Sequence, residues 1–517
     1  MTPDGLIPDL LALLPRERVL TDPAELFVYE SDGFTIAKAR PAAVVFPLTT
    51  AEVVEIVKLL SRHGVQIVPR GSGTGLAGGC VAFEQGVIVS TSKMTRVRTI
   101  DLENRVAHVE AGVRNTQLSD AVANLATGRP LSAPQTSPAR DAEDAAAGAV
   151  KLAPSQRDFP PLNPALFHFA PDPSSQRAST IGGNASTNAG GIHTLKDFVS
   201  SNHVLGFEMV LPDGQVLTVG GHDGCHESGP FDLPGLICGH EGTFGIITSL
   251  WVRLVPKATA FRTLVGIFSS QADACNTVSD VIAAGILPAA MEMMDTRMVQ
   301  VVEDAFHFGF PRDAAALILT EIDGIEDLLD AQQDDIIQIM RRNNATSIQT
   351  SGDAATRTKL WKARKSAFGA IGRISHSYCT QDACVPRSML ASVLKRIGQI
   401  GDEYGLQITN VFHAGDGNVH PIFLYDDRDE QQVQHTLRAC EDVLRYCIDV
   451  GGTLTGEHGV GVEKIHLMPY LFDRPTMEQF QRVKDAFDPE DRINAGKLVP
   501  SDKVVVHLLK PGRHVPQ

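Results

Sequence analysis

Residues 69–79 read PRGSGTGLAGG, with glycine at positions 71, 73, 75, 78 and 79. Five glycines within nine residues exclude a helix or a regular strand, because glycine loses the most backbone freedom in either. The run leaves QIVPRG, a short apolar stretch that reads as a strand. Backbone N–H groups in such a turn can converge on an anion, and missing side chains let a pyrophosphate approach closely. The loop is not the dinucleotide fingerprint of a doubly wound fold: no helix opens from it and no acidic residue follows at the required distance. No Gly-Lys-Ser/Thr follows either, which excludes a P-loop.

Two further segments have the same character. Residues 171–191, PDPSSQRASTIGGNASTNAGG, and residues 239–247, GHEGTFGII, carry hydroxyls, amides and glycines. Three such loops suit a large, polar, phosphate-bearing cofactor. Around them the chain alternates strands and helices. AAVVFPL (42–48), GVIVST (86–91) and RVAHVEAGV (105–113) read as strands. TTAEVVEIVKLLSRHG reads as a helix capped by Thr49 or Thr50 and stopped at Gly64. GFEMVLPDGQVLTVGG is a hairpin signal around Pro-Asp-Gly. Beyond Lys257, TLVGIF, ALILTEI and QITNVF read as strands separated by helical stretches such as DLLDAQQDDIIQIMRR. The expectation is an α+β chain.

With 517 residues, two or three cores are expected. We divide the chain into an N-terminal segment (1–40), a first α+β domain (41–257), a second α+β domain with an antiparallel sheet (258–480) and a short C-terminal segment (481–517). Residues 128–164 are rich in proline and alanine and read as a mobile insertion. Lys and Arg number 46 against 61 Asp and Glu, a formal charge of −15, which leaves no electrostatic footprint for nucleic acid. The opening MTPDGLIPDLLALL, broken by prolines and acids, is not a signal peptide. No run has the length of a membrane span. The expectation is a cytoplasmic protein, with peripheral contact at the inner face of a membrane left open, and a homo-oligomer. None of the eight cysteines forms a CxxC pair, so an iron–sulfur exit for electrons within this chain is not expected.

NVFHAGDGNVHPIFLY (410–425) places His413 and His420 on either side of Gly-Asp-Gly. Seven apart on one straight strand, they would face opposite ways; the Gly-Asp-Gly turn folds the chain back and lets the imidazoles oppose each other. Two apposed histidines form half a transition-metal site, and Glu457 of GGTLTGEHGVGVEK would complete a set of open, catalytic type. A plain surface hairpin is the other reading of the histidines alone.

Taken together, PRGxGTGLxGG, PDPSSQ–IGGNxxxNAGG and EGTxGIIT resemble the FAD domain of the vanillyl-alcohol-oxidase/PCMH flavoproteins. Within them the likeness is to the glycolate oxidase FAD subunits and the D-lactate and D-2-hydroxyglutarate dehydrogenases. The resemblance implies a PCMH-type FAD-binding domain of two α+β subdomains followed by a substrate or cap domain, with the C-terminal segment returning to the flavin. It implies that Pro69, Arg70, Gly71, Ser72, Gly73, Thr74, Gly75 and Gly78 cradle the pyrophosphate. Pro173, Ser174, Thr180, Gly183, Asn184, Thr187, Gly190, Glu241, Gly242 and Ile246 would wrap the rest of a dissociable FAD. Asn494, in NAGK where relatives carry NPGK, would face the flavin. His240 stands where relatives carry serine and could shift a flavin contact.

HxGDGNxH followed by GEHGxG resembles the metal site and base of the 2-hydroxy-acid dehydrogenases. That implies His413, His420 and Glu457 as ligands of a divalent metal (zinc first, manganese or iron as alternatives). It implies His458 as the base taking the alcohol proton while hydride passes to flavin N5, and Arg364, in a WxxR context, as the partner of the substrate carboxylate. The expected reaction is oxidation of a small D-2-hydroxy acid, glycolate or D-lactate, to the 2-oxo acid. The electrons would pass to an external acceptor: a partner subunit, a quinone, a soluble carrier or oxygen. YCTQDACVP lacks the lysine found in D-2-hydroxyglutarate enzymes, which disfavours a dicarboxylate. A D-2-hydroxyglutarate-type dehydrogenase, a non-catalytic flavin subunit and a metal-dependent hydrolase using His413, His420 and Glu457 stay as alternatives.

Overall fold

The computed structural model describes residues 3–125, 151–152, 162–220 and 230–500. The proposed insertion therefore lies almost entirely outside the described residues. Three sheets organise the rest. In the first, Ala43–Val45, Val87–Ser90 and Ile67–Arg70 run parallel, with Val19–Leu20 antiparallel at the edge. Helix Thr50–Arg62 crosses over it, and Thr49 is its cap, accepting from Glu52 N at 3.2 Å. Helical spacing puts Val53, Ile56, Val57 and Leu60 on one face, buried against Ile67, Val87 and Val89 of the sheet and Leu6 and Leu10 of the N-terminal helix. Each such side chain contributes about 1.5–3 kcal/mol of burial, so the strand feeding the glycine loop rests on a fixed base.

The second sheet has six strands, with Val204–Val210 and Val216–Val219 forming the expected hairpin beside Ile246–Arg253, Val106–Glu110, Val97–Asp101 and Lys151–Leu152. One expectation fails here. The run 171–191 is not loop throughout: Ile181–Thr187 is a helix, capped by Thr180, whose Oγ1 accepts from Gly183 N at 3.2 Å. Two glycines and an asparagine argue against a helix on propensity. Packing overrides this, because Gly182 lies so close to Ala111 that a Cβ would sit 2.6 Å from the Ala111 Cβ.

The third sheet is antiparallel, with Ala345–Ser351, Ala260–Phe268, Ala316–Gly324, Ala290–Asp295 and Gln407–His413 side by side. Both faces are covered, so its strands alternate between two cores. Met291, Met293 and Phe412 enter one and Ala290, Met294 and Val411 the other. Period-2 geometry places Glu292 and His413 on the face of the second core, and they are direct cross-strand partners.

Helix Arg474–Phe487 leads to the C-terminal stretch, which returns to the first sheet. Ile67 N donates to Arg492 O at 3.0 Å and Asn494 N to Ile67 O at 2.9 Å. Among the described residues no helix is long and apolar enough to cross a membrane.

An ionic cluster spans the seam between the second and third sheets. His193 Nδ1 lies 2.9 Å from Asp172 Oδ2 and its Nε2 3.8 Å from Glu321 Oε1. Glu321 also receives both Arg357 nitrogens and the Trp361 indole N–H. Burial would lower the His193 pKa, but Asp172 and Glu321 override it and raise it to about 10. A raised folded-state pKa gives stability fully present below the unfolded value of 6.5 and lost as pH rises through 10. The side chain is 23 % exposed, so the contribution is about 1 kcal/mol. His193→Gln should therefore lower Tm by about 2 °C at pH 6 and leave it unchanged near pH 10.5. A uniform loss across that range in a thermal-melt series would refute the charge assignment.

Candidate active site

One cavity of about 420 Å³ runs between the lobes. At one end its wall holds Pro69, Arg70, Gly71, Ser72, Gly73, Thr74 and Gly75, with Pro173, Ser174, Thr180, Gly183, Asn184, Thr187, Glu241, Gly242 and Ile246 alongside. At the other end stand Arg364, His413, His420, Glu457 and His458. The glycine loop is tight by necessity. A Cβ at Gly71 would lie 2.4 Å from Thr180 Oγ1, and one at Gly73 (φ +75°) 2.1 Å from the Arg70 guanidinium.

Three residues expected at the cofactor are not among those that line the cavity. Gly78 packs against Val462, and Gly190 against Glu457, whose Oε2 would be 2.9 Å from an added Cβ. Asn494 Nδ2 donates to Gly79 O at 2.8 Å and Glu241 O at 2.7 Å, so it ties the C-terminal stretch to the glycine loop. His240 also differs from expectation. Its Nδ1 pairs with Ile237 O at 2.6 Å and its ring leans on Phe244, away from the cavity wall. Burial keeps its pKa down at about 4.

The histidine hairpin folds as the Gly-Asp-Gly spacing requires. Gly417 turns the chain at φ +76°, His413 pairs with Asn418, and the His413 and His420 rings meet at 5.1 Å and 88°. Glu457 Oε1 lies 3.3 Å from His413 Nε2, 3.3 Å from His420 Nε2 and 3.7 Å from His458 Nε2. The outer nitrogens are already committed. His413 Nδ1 is 2.7 Å from Glu292 Oε1, and His420 Nδ1 is 3.3 Å from Gln381 O. With Nδ1 as the donor on each ring, two Nε2 lone pairs and a carboxylate converge, a donor set that a cation between them would satisfy. Two nitrogens, each ring oriented through its Nδ1, and one carboxylate oxygen fit a divalent metal such as zinc.

Charge agrees with geometry. Burial would raise the Glu457 pKa, but the His413 and His420 contacts hold it well below the usual carboxylate range. Burial would lower that of His413, but Glu292 and Glu457 hold it well above the usual imidazole value. His458 goes the other way: burial takes it down to about 4 despite Asp382, so at neutral pH it is uncharged and can accept a proton. It stacks on His420 at 4.9 Å.

Two carboxylates essential to this arrangement escaped the sequence reading. Glu292 is 1 % exposed and links His413 to Arg364, whose Nε donates to Glu292 Oε2 at 2.6 Å. Asp382 is fully buried and accepts from Thr455 Oγ1 (2.6 Å) and the N–H groups of Gly456, Glu457 and His458 (2.8, 3.1 and 3.0 Å). Three buried polar atoms on cavity residues, Ser179 Oγ, Arg364 Nη2 and Thr380 Oγ1, find no hydrogen-bond partner among the described residues. Such atoms call for a polar ligand.

A fold of this kind, with a glycine-lined cavity opening onto a histidine–carboxylate cluster, defines a cofactor-dependent oxidoreductase, and comparison with known proteins gives the cofactor. Residues 41–137 and 160–220 match the FAD binding domain model and residues 257–498 the C-terminal domain of FAD linked oxidases; the chain belongs to the FAD-linked oxidase family. It is 36 % identical over 507 residues to glycolate oxidase subunit GlcD of Escherichia coli (strain K12), covering 96 % of this chain and 93 % of that protein. It is 31 % identical over 464 residues to a D-lactate dehydrogenase of Archaeoglobus fulgidus, covering 89 % and 92 %. The p-cresol methylhydroxylase structure superposes with a TM-score of 0.74 at 17 % identity, covering 97 % of this chain and 98 % of that one. 4-Ethylphenol oxidase from Gulosibacter chungangensis gives 0.72 at 18 % identity, covering 97 % and 100 %.

Proposed function

We propose that the protein oxidises a small D-2-hydroxy acid, glycolate or D-lactate, to the 2-oxo acid. The observation that carries this reading is the single cavity joining the glycine loop to the His413/His420/Glu457/His458 cluster. Residues 69–75 and the walls from 173–187 and 242–246 hold FAD, which when bound accepts the hydride from the substrate α-carbon. His413, His420 and Glu457 hold a divalent cation, which would supply Lewis acidity to lower the pKa of the substrate hydroxyl. Arg364, fixed through Nε on Glu292, turns its unpartnered Nη2 to the substrate carboxylate. The hydroxyl proton passes to Nε2 of His458, which burial keeps neutral. Burial of the cluster excludes water, so Arg364 and His458 act on the substrate at low dielectric. Relatives named as glycolate oxidase subunits and a D-lactate dehydrogenase support the substrate class. The electrons leave through an external acceptor.

Anaerobic titration of the yellow holoprotein tests this. Glycolate or D-lactate should bleach the flavin band, L-lactate should not, and chelator should slow bleaching by about 10²-fold or more. Failure of every short 2-hydroxy acid to reduce the flavin would end the proposal.

A further inference from the structure

We propose that Glu241 is a positioning residue that locks the loop carrying Glu457 and His458 onto the flavin-binding lobe. Both of its carboxylate oxygens are engaged by that loop. One oxygen accepts from Val460 N at 2.6 Å and the other from Gly461 N at 2.7 Å. These amides lie two and three residues beyond His458, so Glu241 grips the base-bearing loop at its exit, while Asp382 of the other lobe grips it at its entry.

Glu241 is itself anchored on both backbone sides. Its N–H donates to Ser186 O at 2.7 Å and its carbonyl accepts from Asn494 Nδ2 at 2.7 Å. The same Asn494 amide holds Gly79 O, at the end of the glycine loop. A non-glycine residue at φ +52° is uncommon and persists where surrounding contacts fix it. The fit against the clamped loop is close. A Cβ at Gly459 would fall 2.6 Å from Glu241 Oε1, and one at Gly461 1.9 Å from Ala77 O. Val462 N then donates to Ala77 O at 3.0 Å. Metal ligand and base are thereby held at one distance from the cofactor loop. The catalytic consequence rests on the reaction proposed above; the clamp does not.

The test uses the full-length holoprotein and Glu241→Gln. Glutamine keeps one acceptor oxygen and turns an N–H group toward the second amide. Amide hydrogen exchange across 455–464 should quicken by about 10-fold or more, with exchange in 69–75 and flavin content unchanged. Turnover should fall about 10- to 100-fold with KM altered less than about 3-fold. Unchanged exchange in 455–464 overturns the proposal. So does loss of flavin with full turnover per flavin retained, which would make Glu241 a cofactor ligand. If Glu241→Gln does not fold, Gly459→Ala pushes on the same carboxylate from the other lobe and must give the same exchange pattern; normal exchange there overturns the proposal equally. Exchange is read without substrate, so an error in the substrate class leaves this result standing.

Discussion

His458→Asn should retain bound FAD and lose substrate-driven flavin reduction by about 10²- to 10⁴-fold, the usual contribution of a positioned base. The ring is not part of the fold's support. The loop is held through the His458 backbone N–H, which donates to Asp382 at 3.0 Å, and that bond survives the substitution. Asparagine has no ring nitrogen to receive the proton, whereas buried His458, uncharged at neutral pH, carries a free ring lone pair. Stopped-flow reduction with glycolate or D-lactate measures the rate, and the flavin spectrum with a thermal melt verifies the holoprotein. Turnover within about 3-fold of the parent chain would mean that the proton leaves by another route and that His458 is not the base.

What the sequence revealed and what it hid follow one physical division. Features dictated by local backbone chemistry were legible. The glycine run announced itself because few other arrangements tolerate so many glycines, and the Gly-Asp-Gly turn forced His413 and His420 together. Features set by pairing across distant strands were not. Glu292 is one acid within AAMEMMD, and nothing in the local pattern states that His413 lies opposite it. A signal did exist: an acid in a strand covered on both faces must have a partner, because an isolated buried charge is too costly. Asp382 gave less warning, since it precedes a two-residue strand, Ala383–Cys384, with no periodicity. The resemblance of its loop places Glu241 at the cofactor, and it does line the cavity; only the fold reveals that its carboxylate turns to Val460 and Gly461.

Asp382→Asn should cost more in stability than any other single change at the site. The carboxylate sits with zero exposure and is held well below the usual range: burial opposes ionisation, but His458, Lys464 and His420 override it. Lys464 is equally buried, with Nζ 3.5 Å from Asp382 Oδ2 and 2.9 Å from its carbonyl. Asparagine leaves that ammonium without its counter-charge, a change that costs about 3–5 kcal/mol in a buried pair. It also weakens the hold on the amides from Gly456 to His458, which all donate to Oδ2, because a neutral amide oxygen is a weaker acceptor than a carboxylate. The loop must then shift, taking Glu457 away from His413 and His420. Two measurements should move together: a lower Tm, and zinc lost to a chelator at a concentration the parent chain withstands. Because the folded-state pKa is depressed, the parent chain's Asp382 stability is present above the unfolded value near 3.8 and lost only as pH falls below it. The Tm difference between parent and variant should therefore be constant from pH 6 to 8 and shrink in acid. A variant that melts with the parent and holds zinc as tightly would show that the loop needs no anion beneath it.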